Sequence, residues 1–334
     1  MRAAGIPETI VVAPDSFKGT LRATEVAAAI GRGLETAGRQ VDLCPVADGG
    51  EGTMEALLAA LPGERLEAGV HDPLGREITA GFALVQAPGD GMAAIVETAA
   101  ASGLGLVEPG ERDPLAASTY GTGELIAAAL AAGAATVYLG VGGSASTDGG
   151  SGAIRAIGDA GGLGAARLVV LCDVRTPFED AGRVFAPQKG AGTDQVRRLT
   201  ARLHGLARGL RRDPRGIPMT GAAGGLAGGL WAAFDARLVA GASFVLDALG
   251  FDARMRTARA VVTGEGKLDD QSLAGKAVSE VATRARQSGV PCHAIVGRRE
   301  LDAFGARILD LQSVLEAGTE QQLEAAGRRL AALL

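Results

Sequence analysis

The sequence predicts an α/β protein in which both chain ends build one doubly wound parallel sheet and a second, mixed α/β domain is inserted between them. Three observations carry this. Short apolar runs alternate with helical periodicity at both ends, as in strand–helix–strand folds. The middle reads differently, with long extended stretches. At 334 residues the chain also exceeds the size at which one core usually keeps growing. The expected domains are residues 1–64 with 258–334, and residues 65–257.

Residues 10–13 form a short apolar run ending at Pro14 and Asp15, suited to a buried parallel strand. Residues 23–37 carry Val26, Ile30 and Leu34 at helical spacing, and Gly38 is a natural stop. A second strand over 41–46 and a second helix over 51–61 follow. Residues 65–85 read as extended structure around the turn Asp72-Pro73-Leu74-Gly75. A strand near 94–96, a helix over 121–132 and a strand over 136–139 come next. The Ala-rich stretch 151–160 then opens a helix. At the end of the chain, strands over 260–263, 291–296 and 309–315 alternate with helices over 274–287 and 321–334.

Composition excludes several classes. Hydrophobic residues make up 47% and aromatics 3%, which describes small-residue packing rather than a disordered chain. A net charge of −5 argues against general nucleic-acid binding. Residues 194–216 hold seven arginines, but Val196, Leu199, Leu203, Leu206 and Leu210 recur at helical spacing, so an amphipathic helix with a solvated basic face is expected. Cys44, Cys172 and Cys292 form no CxxC pair and read as buried thiols of a reducing compartment. His71, His204 and His293 show no zinc spacing. Residues 1–8 show no leader pattern. Residues 125–147 lack charge, yet Gly133, Gly140, Gly142 and Gly143 break them, so helix, turn, strand and loop are expected rather than a membrane span. A cytoplasmic protein is expected.

Four loops concentrate small and charged residues. They are residues 13–20, 46–53, 140–150 and 263–272. In open parallel sheets, the loops after the carboxyl ends of strands line the ligand-binding edge. The first and fourth should share one crevice there, with the third closing over it. The third, GVGGSASTDGG, offers glycines and hydroxyls that can converge on an anion where a helix begins. Lys18 and Lys267 can neutralise phosphate charge. Asp48, Glu51, Asp148, Glu265, Asp269 and Asp270 can hold Mg²⁺ or accept a hydroxyl proton. Phosphoryl transfer is mostly positioning and charge stabilisation, and needs this kind of set. The competing reading is structural: Ser16, Asp269 and Ser272 are also good cap residues. No GxxxxGK[ST], HRD or DFG occurs, and no GxGxxG follows the first strand.

Taken together, the segments VAPDSFKGT (12–20), PVADGGEGT (45–53), DPLGR (72–76), ETAAASGLGL (97–106), STYGTGELI (118–126), the glycine loop, FAPQKGA (185–191), GAAGG (221–225) and TGEGKLDDQSLAGK (263–276) resemble the bacterial glycerate kinase family, of the glycerate 2-kinase type. The resemblance runs nearly the whole chain. It implies a flavodoxin-like domain with an inserted mixed α/β domain. It also implies ATP-dependent, Mg²⁺-assisted phosphorylation of D-glycerate, most commonly to 2-phospho-D-glycerate, in an interdomain cleft. On that reading Lys18, Asp48 and Asp148 are catalytic, with either aspartate as the base. Asp15, Ser16, Gly49, Gly50, Glu51, Gly142, Gly143, Ser144, Ser146, Thr147, Lys189 and Lys267 bind substrate or phosphate, and Glu265 and Asp269 hold the metal. No nucleic-acid or membrane partner is implied, and a homodimer is compatible with it. Two departures stand out: Thr176 replaces an expected Asn in LCDVRTPFEDAG (171–182), and the stretch 158–168 is short. Motif identity does not fix the acceptor, so a kinase for another hydroxy acid or sugar acid, or a non-catalytic glycerate or nucleotide sensor, stays open.

Overall fold

A computed structural model describes residues 9–87, 89 and 91–334; the leader question at 1–8 lies outside them. In chain order the elements begin with β1 (Thr9–Pro14), α1 (Ala23–Thr36), β2 (Gln40–Leu43) and α2 (Thr53–Ala60). Then come β3 (Gly63–His71), β4 (Glu77–Ala87), β5 (Gly91–Glu97), α3 (Thr98–Ser102), α4 (Tyr120–Ala131) and β6 (Thr136–Gly140). Next are α5 (Ser151–Asp159), β7 (Arg167–Leu171), α6 (Ala181–Phe185), α7 (Thr193–Gly209), α8 (Leu226–Phe234) and β8 (Arg237–Val239). The chain closes with α9 (Gly241–Ala248), α10 (Phe251–Arg256), β9 (Ala260–Gly264), β10 (Lys267–Leu268), α11 (Ala277–Gln287), β11 (Cys292–Val296), β12 (Arg298–Arg299), α12 (Ala303–Ile308), β13 (Leu311–Glu316) and α13 (Glu320–Ala331).

The chain divides into two compact units, Met1–Asp48 with Ala242–Leu334, and Gly49–Gly241. The divisions fall at 48/49 and 241/242, where the sequence reading places them at 64/65 and 257/258. Packing accounts for the difference. Helix α2 lies on β4 and β5, while Ala242, Leu246, Phe251 and Met255 of α9 and α10 share a core with Val11 and Val261.

The first unit holds a five-stranded sheet in the order β13-β11-β9-β1-β2, every neighbouring pair parallel. Alternation along its strands feeds two cores. Val11, Ala13 and Val261 face Phe251, Val278 and Val281; Ile10, Val12 and Val262 face Ile30, Leu34, Leu323 and Leu330 from α1 and α13. A parallel sheet covered on both faces needs apolar residues at consecutive strand positions, which is why β1 and β9 read as unbroken apolar runs.

The second unit holds a six-stranded mixed sheet, β3-β4-β5-β6-β7-β8. The first two pairs are antiparallel and the rest parallel. The Asp72 turn joins β3 to β4: Asp72 accepts from the Leu74 and Arg76 amides at 2.8 and 2.9 Å. The uncharged stretch 125–147 becomes most of α4, β6 and a loop, and among the described residues no helix is long and apolar enough to cross a membrane. The arginine-rich segment forms α7 with Leu199, Leu203 and Ala207 buried, as its periodicity predicts. The three cysteines are buried and unpaired.

Candidate functional site

In the first unit the chain turns sharply polar where β1 and β9 end. The two strands pair in parallel with Pro14 level with Gly264. Asp15 and Glu265 therefore leave the sheet side by side, each only about 5–7% exposed. The stretch after β2 stays bonded to β1 through the Val46 amide and Pro14 carbonyl (3.0 Å), which carries Asp48 to the same edge. Lys18 Nζ meets Asp48 Oδ2 at 3.4 Å, its side chain 64% exposed.

The charges in this cluster do not balance. Burial pushes the Asp15 carboxyl well above the usual range; repulsion from Asp48 adds to this, and Lys18 opposes it. The Asp48 carboxylate raises the Lys18 ammonium in turn. Burial also raises Glu265. Its Oε2 lies 3.7 Å from Lys276 Nζ, while its Oε1 is buried with no hydrogen-bond partner. A buried carboxylate oxygen left unpaired costs free energy. Asp15 itself is tied back, accepting the Ser16 amide at 2.6 Å.

Lys267 sits apart from this tension. It is half exposed and bonded to Glu300 (2.7 Å) and Asp269 (3.3 Å), while the Asp269 amide donates to Ser272 Oγ at 3.0 Å. Among the described residues no group of three or more His, Cys, Asp or Glu side chains could by itself hold a metal ion.

In the second unit the glycine loop leaves β6 and ends at α5. Gly142 packs so closely on Gly50 that a Cβ there would lie 2.5 Å from the Gly50 Cα. This brings the loop of Gly49, Gly50 and Glu51 against the loop of Gly142 and Gly143. Glu97 at the end of β5 accepts the Met54 amide at 2.8 Å, binding the first turn of α2 to the same edge; burial raises its pKa.

Asp148 is held by four donors. Its Oδ2 accepts from the Thr119 amide (3.0 Å), Thr119 Oγ1 (2.9 Å) and the Gly152 amide (3.1 Å), and its Oδ1 from the Gly150 amide (3.1 Å). Four donors fix it as the tie between the start of α4 and the start of α5. Ser144 Oγ and Ser146 Oγ lie 3.0 Å apart, and the Ser146 amide donates to Ser144 Oγ. Thr147 Oγ1 is buried and unpartnered. Lys189 is buried, its Nζ donating to the Ser146 carbonyl; burial pulls its pKa down to about 7, against the opposing charge of Asp148.

The structure thus gathers the candidate residues into two groups. Asp15, Ser16, Lys18, Asp48 and Glu265 meet in the first unit, with Lys267 and Asp269 on its flank. Gly49, Gly50, Gly142, Gly143, Ser144, Ser146, Thr147, Asp148 and Lys189 meet in the second; Glu51 is exposed beside them. Sequence reasoning missed Thr119, Glu97 and Lys276. Thr119 and Lys276 lie inside recognised segments but carry side chains that read as ordinary helix-start residues. The Thr176 departure is accommodated, because its backbone carbonyl, which any residue supplies, accepts the Gly221 amide at 2.9 Å.

Comparison with known proteins bears directly on these loops. The glycerate kinase family model matches residues 10–162 and 160–334. A glycerate kinase of Halalkalibacterium halodurans is 38% identical over 97% of this chain and 97% of its own. The glycerate 2-kinase of Escherichia coli K12 is 39% identical over 86% of this chain and 84% of its own. A crystal structure from Salmonella typhimurium LT2, assigned to glycerate kinase 2, aligns with a TM-score of 0.79 at 35% identity, over 97% of each chain. With both units matched and every polar loop inside the matched segments, the chain belongs to the glycerate kinase family and is a phosphotransferase.

Proposed function

We propose that the protein transfers the γ-phosphoryl group of ATP to D-glycerate, forming 2-phospho-D-glycerate. The observation that carries the chemistry is the Asp15–Lys18–Asp48–Glu265 cluster: three carboxylates at one sheet edge, with the exposed Lys18 ammonium at Asp48 and the Lys276 ammonium 3.7 Å from Glu265. Such a cluster is stabilised by what phosphoryl transfer brings to it, a hydroxyl proton to accept and a cation to bind. The strand order of the first unit, renumbered within it, is 2-1-3-4-5, which supports a flavodoxin-like reading and a ligand at the carboxyl edge of the strands.

In this mechanism Lys18 neutralises charge on the transferred phosphoryl or on the glycerate carboxylate, since its exposed ammonium is free to move from Asp48 to a ligand. Asp48 orients the attacking hydroxyl and accepts its proton. Asp148 is the weaker candidate for that proton, because four donors already occupy its oxygens. Its role is to hold the loop that grips the phosphate-bearing partner. Asp15 and Ser16 position the small acid.

The oxygen donors of the first unit fit Mg²⁺. That ion is commonly held by one or two carboxylates with waters and substrate phosphates completing its shell, and Glu265 Oε1 is a buried carboxylate oxygen without a partner. Glu265 and Asp269 would hold it. When bound, Mg²⁺ supplies charge neutralisation at the phosphates.

The test is ADP release by purified protein with Mg²⁺-ATP and D-glycerate, with phosphorus NMR of the product. A 2-phosphoglycerate signal is expected. A 3-phosphoglycerate signal would overturn the regiochemistry alone. Faster turnover on another hydroxy acid or a sugar acid would reassign the acceptor, and ligand binding without turnover would favour a sensor.

A further inference from the structure

We propose that Lys189 is a positioning residue for the reaction: its buried ammonium clamps the Ser146 carbonyl and so fixes the segment from Ser144 to Thr147 as the binding surface for the phosphate-bearing partner. The inference rests on the functional reading above and deepens it. Sequence reasoning treats Lys189 as a phosphate contact, but its burial makes that role hard to fill. It is 3% exposed, at the end of a short turn beginning at Pro187.

An accounting of the polar groups around the loop shows what the clamp does. The Ala145 amide is taken by the Ser102 carbonyl at 2.9 Å. The Ser146 amide and both serine hydroxyls are engaged with one another. The Ser146 carbonyl is taken by Lys189, with Ser144 Oγ as a longer second donor at 3.5 Å. Asp148 accepts from three amides and from Thr119 Oγ1, and it stabilises the ammonium through space while leaving it free to hold the carbonyl. Thr147 Oγ1 is left buried and unpartnered. It is the hydroxyl this frame keeps available.

A second contact corroborates the clamp. Gly224 packs on the same carbonyl so tightly that a Cβ there would lie 2.1 Å from the Ser146 oxygen, and the Gly149 amide donates to the Gly224 carbonyl at 3.0 Å. The Ser146 peptide is therefore gripped by a lysine from one segment and by backbone from another. Burying a charged amine is unfavourable unless it is well paired. An apolar residue of similar length would avoid that cost but leave the Ser146 carbonyl without the lysine donor, so what the ammonium supplies is the placement of this peptide.

The experiment compares the wild-type protein with Lys189→Met and Lys189→Arg. Calorimetric titrations with ADP and with 2-phosphoglycerate are run beside steady-state kinetics and thermal melts. The expected result for Lys189→Met is affinity for one of the two probes about tenfold weaker and the KM of the matching substrate raised alike, with a melting temperature lowered by the lost partner of the buried Ser146 carbonyl. Affinity for the other probe stays unchanged. Lys189→Arg, which keeps a cation and donors, recovers part of the loss. Unchanged affinity for both probes overturns the proposal, as does equal weakening of both. The titrations read the clamp without turnover. A failure of the glycerate assay with an intact Lys189 effect on binding would thus sink only the choice of acceptor.

Discussion

The two units carry their polar loops in opposite electrostatic conditions. In the first, Asp15, Asp48 and Glu265 repel one another at the end of β1, β2 and β9, and burial pushes Asp15 and Glu265 toward the protonated state. In the second, Asp148 accepts from four donors and the serines bond among themselves. The first is under tension that a ligand would relieve; the second is relaxed at Asp148, although Thr147 Oγ1 stays unpartnered and burial displaces Glu97 and Lys189. Preorganised donors contribute to catalysis because they need no reorganisation when charge develops. Unbalanced carboxylates suit proton acceptance and cation binding. The contrast is that Asp48 faces other carboxylates while Asp148 faces donors, and the two aspartates, indistinguishable in sequence, separate on that ground.

The largest effect should come from the tense side. Lys18→Ala is expected to lower kcat by about 10³-fold, the scale for removing one charge-stabilising group from a transition state, while leaving the melting temperature near that of the wild type. The ammonium is exposed and paired at only 3.4 Å, and such pairs contribute little to stability. Coupled ADP release with a parallel melt decides it. Turnover within tenfold of wild type would remove Lys18 from the phosphoryl path.

On the relaxed side the comparable substitution acts on folding. Gly142→Ala would place a Cβ 2.5 Å from the Gly50 Cα, backbone against backbone with no side chain to swing away. Overpacking of this kind costs about 1–3 kcal/mol, and urea unfolding of the variant should show it. A variant as stable as wild type, but with weakened nucleotide binding, would mean that this glycine serves a ligand more than the loop-to-loop contact.

How much of this was legible in the sequence depends on the range of the interaction. Local periodicity placed α1, α4, α7 and the strands β1, β9 and β11, because burial on one or both faces writes itself into spacing within a few residues. The polar loops were legible for the same reason: strand ends followed by glycine and charge are a local pattern. What the sequence could not state is which donors would converge on Asp148. Thr119 lies 29 positions away, and only the packing of α4 against α5 brings them together. Nor could it distinguish Lys18, exposed, from Lys189, buried, since both follow turn-forming residues in polar motifs. The compact units divide at 48/49 and 241/242 rather than at 64/65 and 257/258 because membership of a core is a long-range property: α9 and α10 look like any amphipathic helix until Phe251 is seen in one core with Val11.

A smaller loss tests the anchoring of Asp148 itself. Thr119→Val keeps the backbone donor but deletes the hydroxyl, which gives to Asp148 at 2.9 Å and accepts the Ala153 amide at 3.0 Å. Leaving two buried groups short of a partner should cost about 1–3 kcal/mol, seen as a lower urea midpoint. If Asp148 is an anchor, kcat per folded molecule should stay within a few-fold of wild type. A collapse in kcat at unchanged stability would return Asp148 to the chemistry.

The smallest effect carries a sign that distinguishes the two sides. The Asp15 carboxyl titrates higher in the folded protein than in the unfolded chain, because burial and Asp48 disfavour its charged form. The folded state then holds its proton more tightly, so the cost of ionising Asp15 is absent in acid. That cost grows as pH rises above the ordinary carboxylate value and through the raised one. Asp15→Asn, which never ionises, should therefore melt higher than wild type at pH 7, by roughly 2 °C, and no higher at pH 3. Its turnover should fall even so, giving a variant that gains stability as it loses activity. Asp148→Asn is expected to show the reverse, melting lower at pH 7, because it exchanges a carboxylate filled by four donors for an amide that cannot accept them all. If both asparagine variants moved the melt in the same direction, the tension assigned to the first unit would be absent, and the choice of Asp48 over Asp148 as the proton acceptor would lose its physical ground.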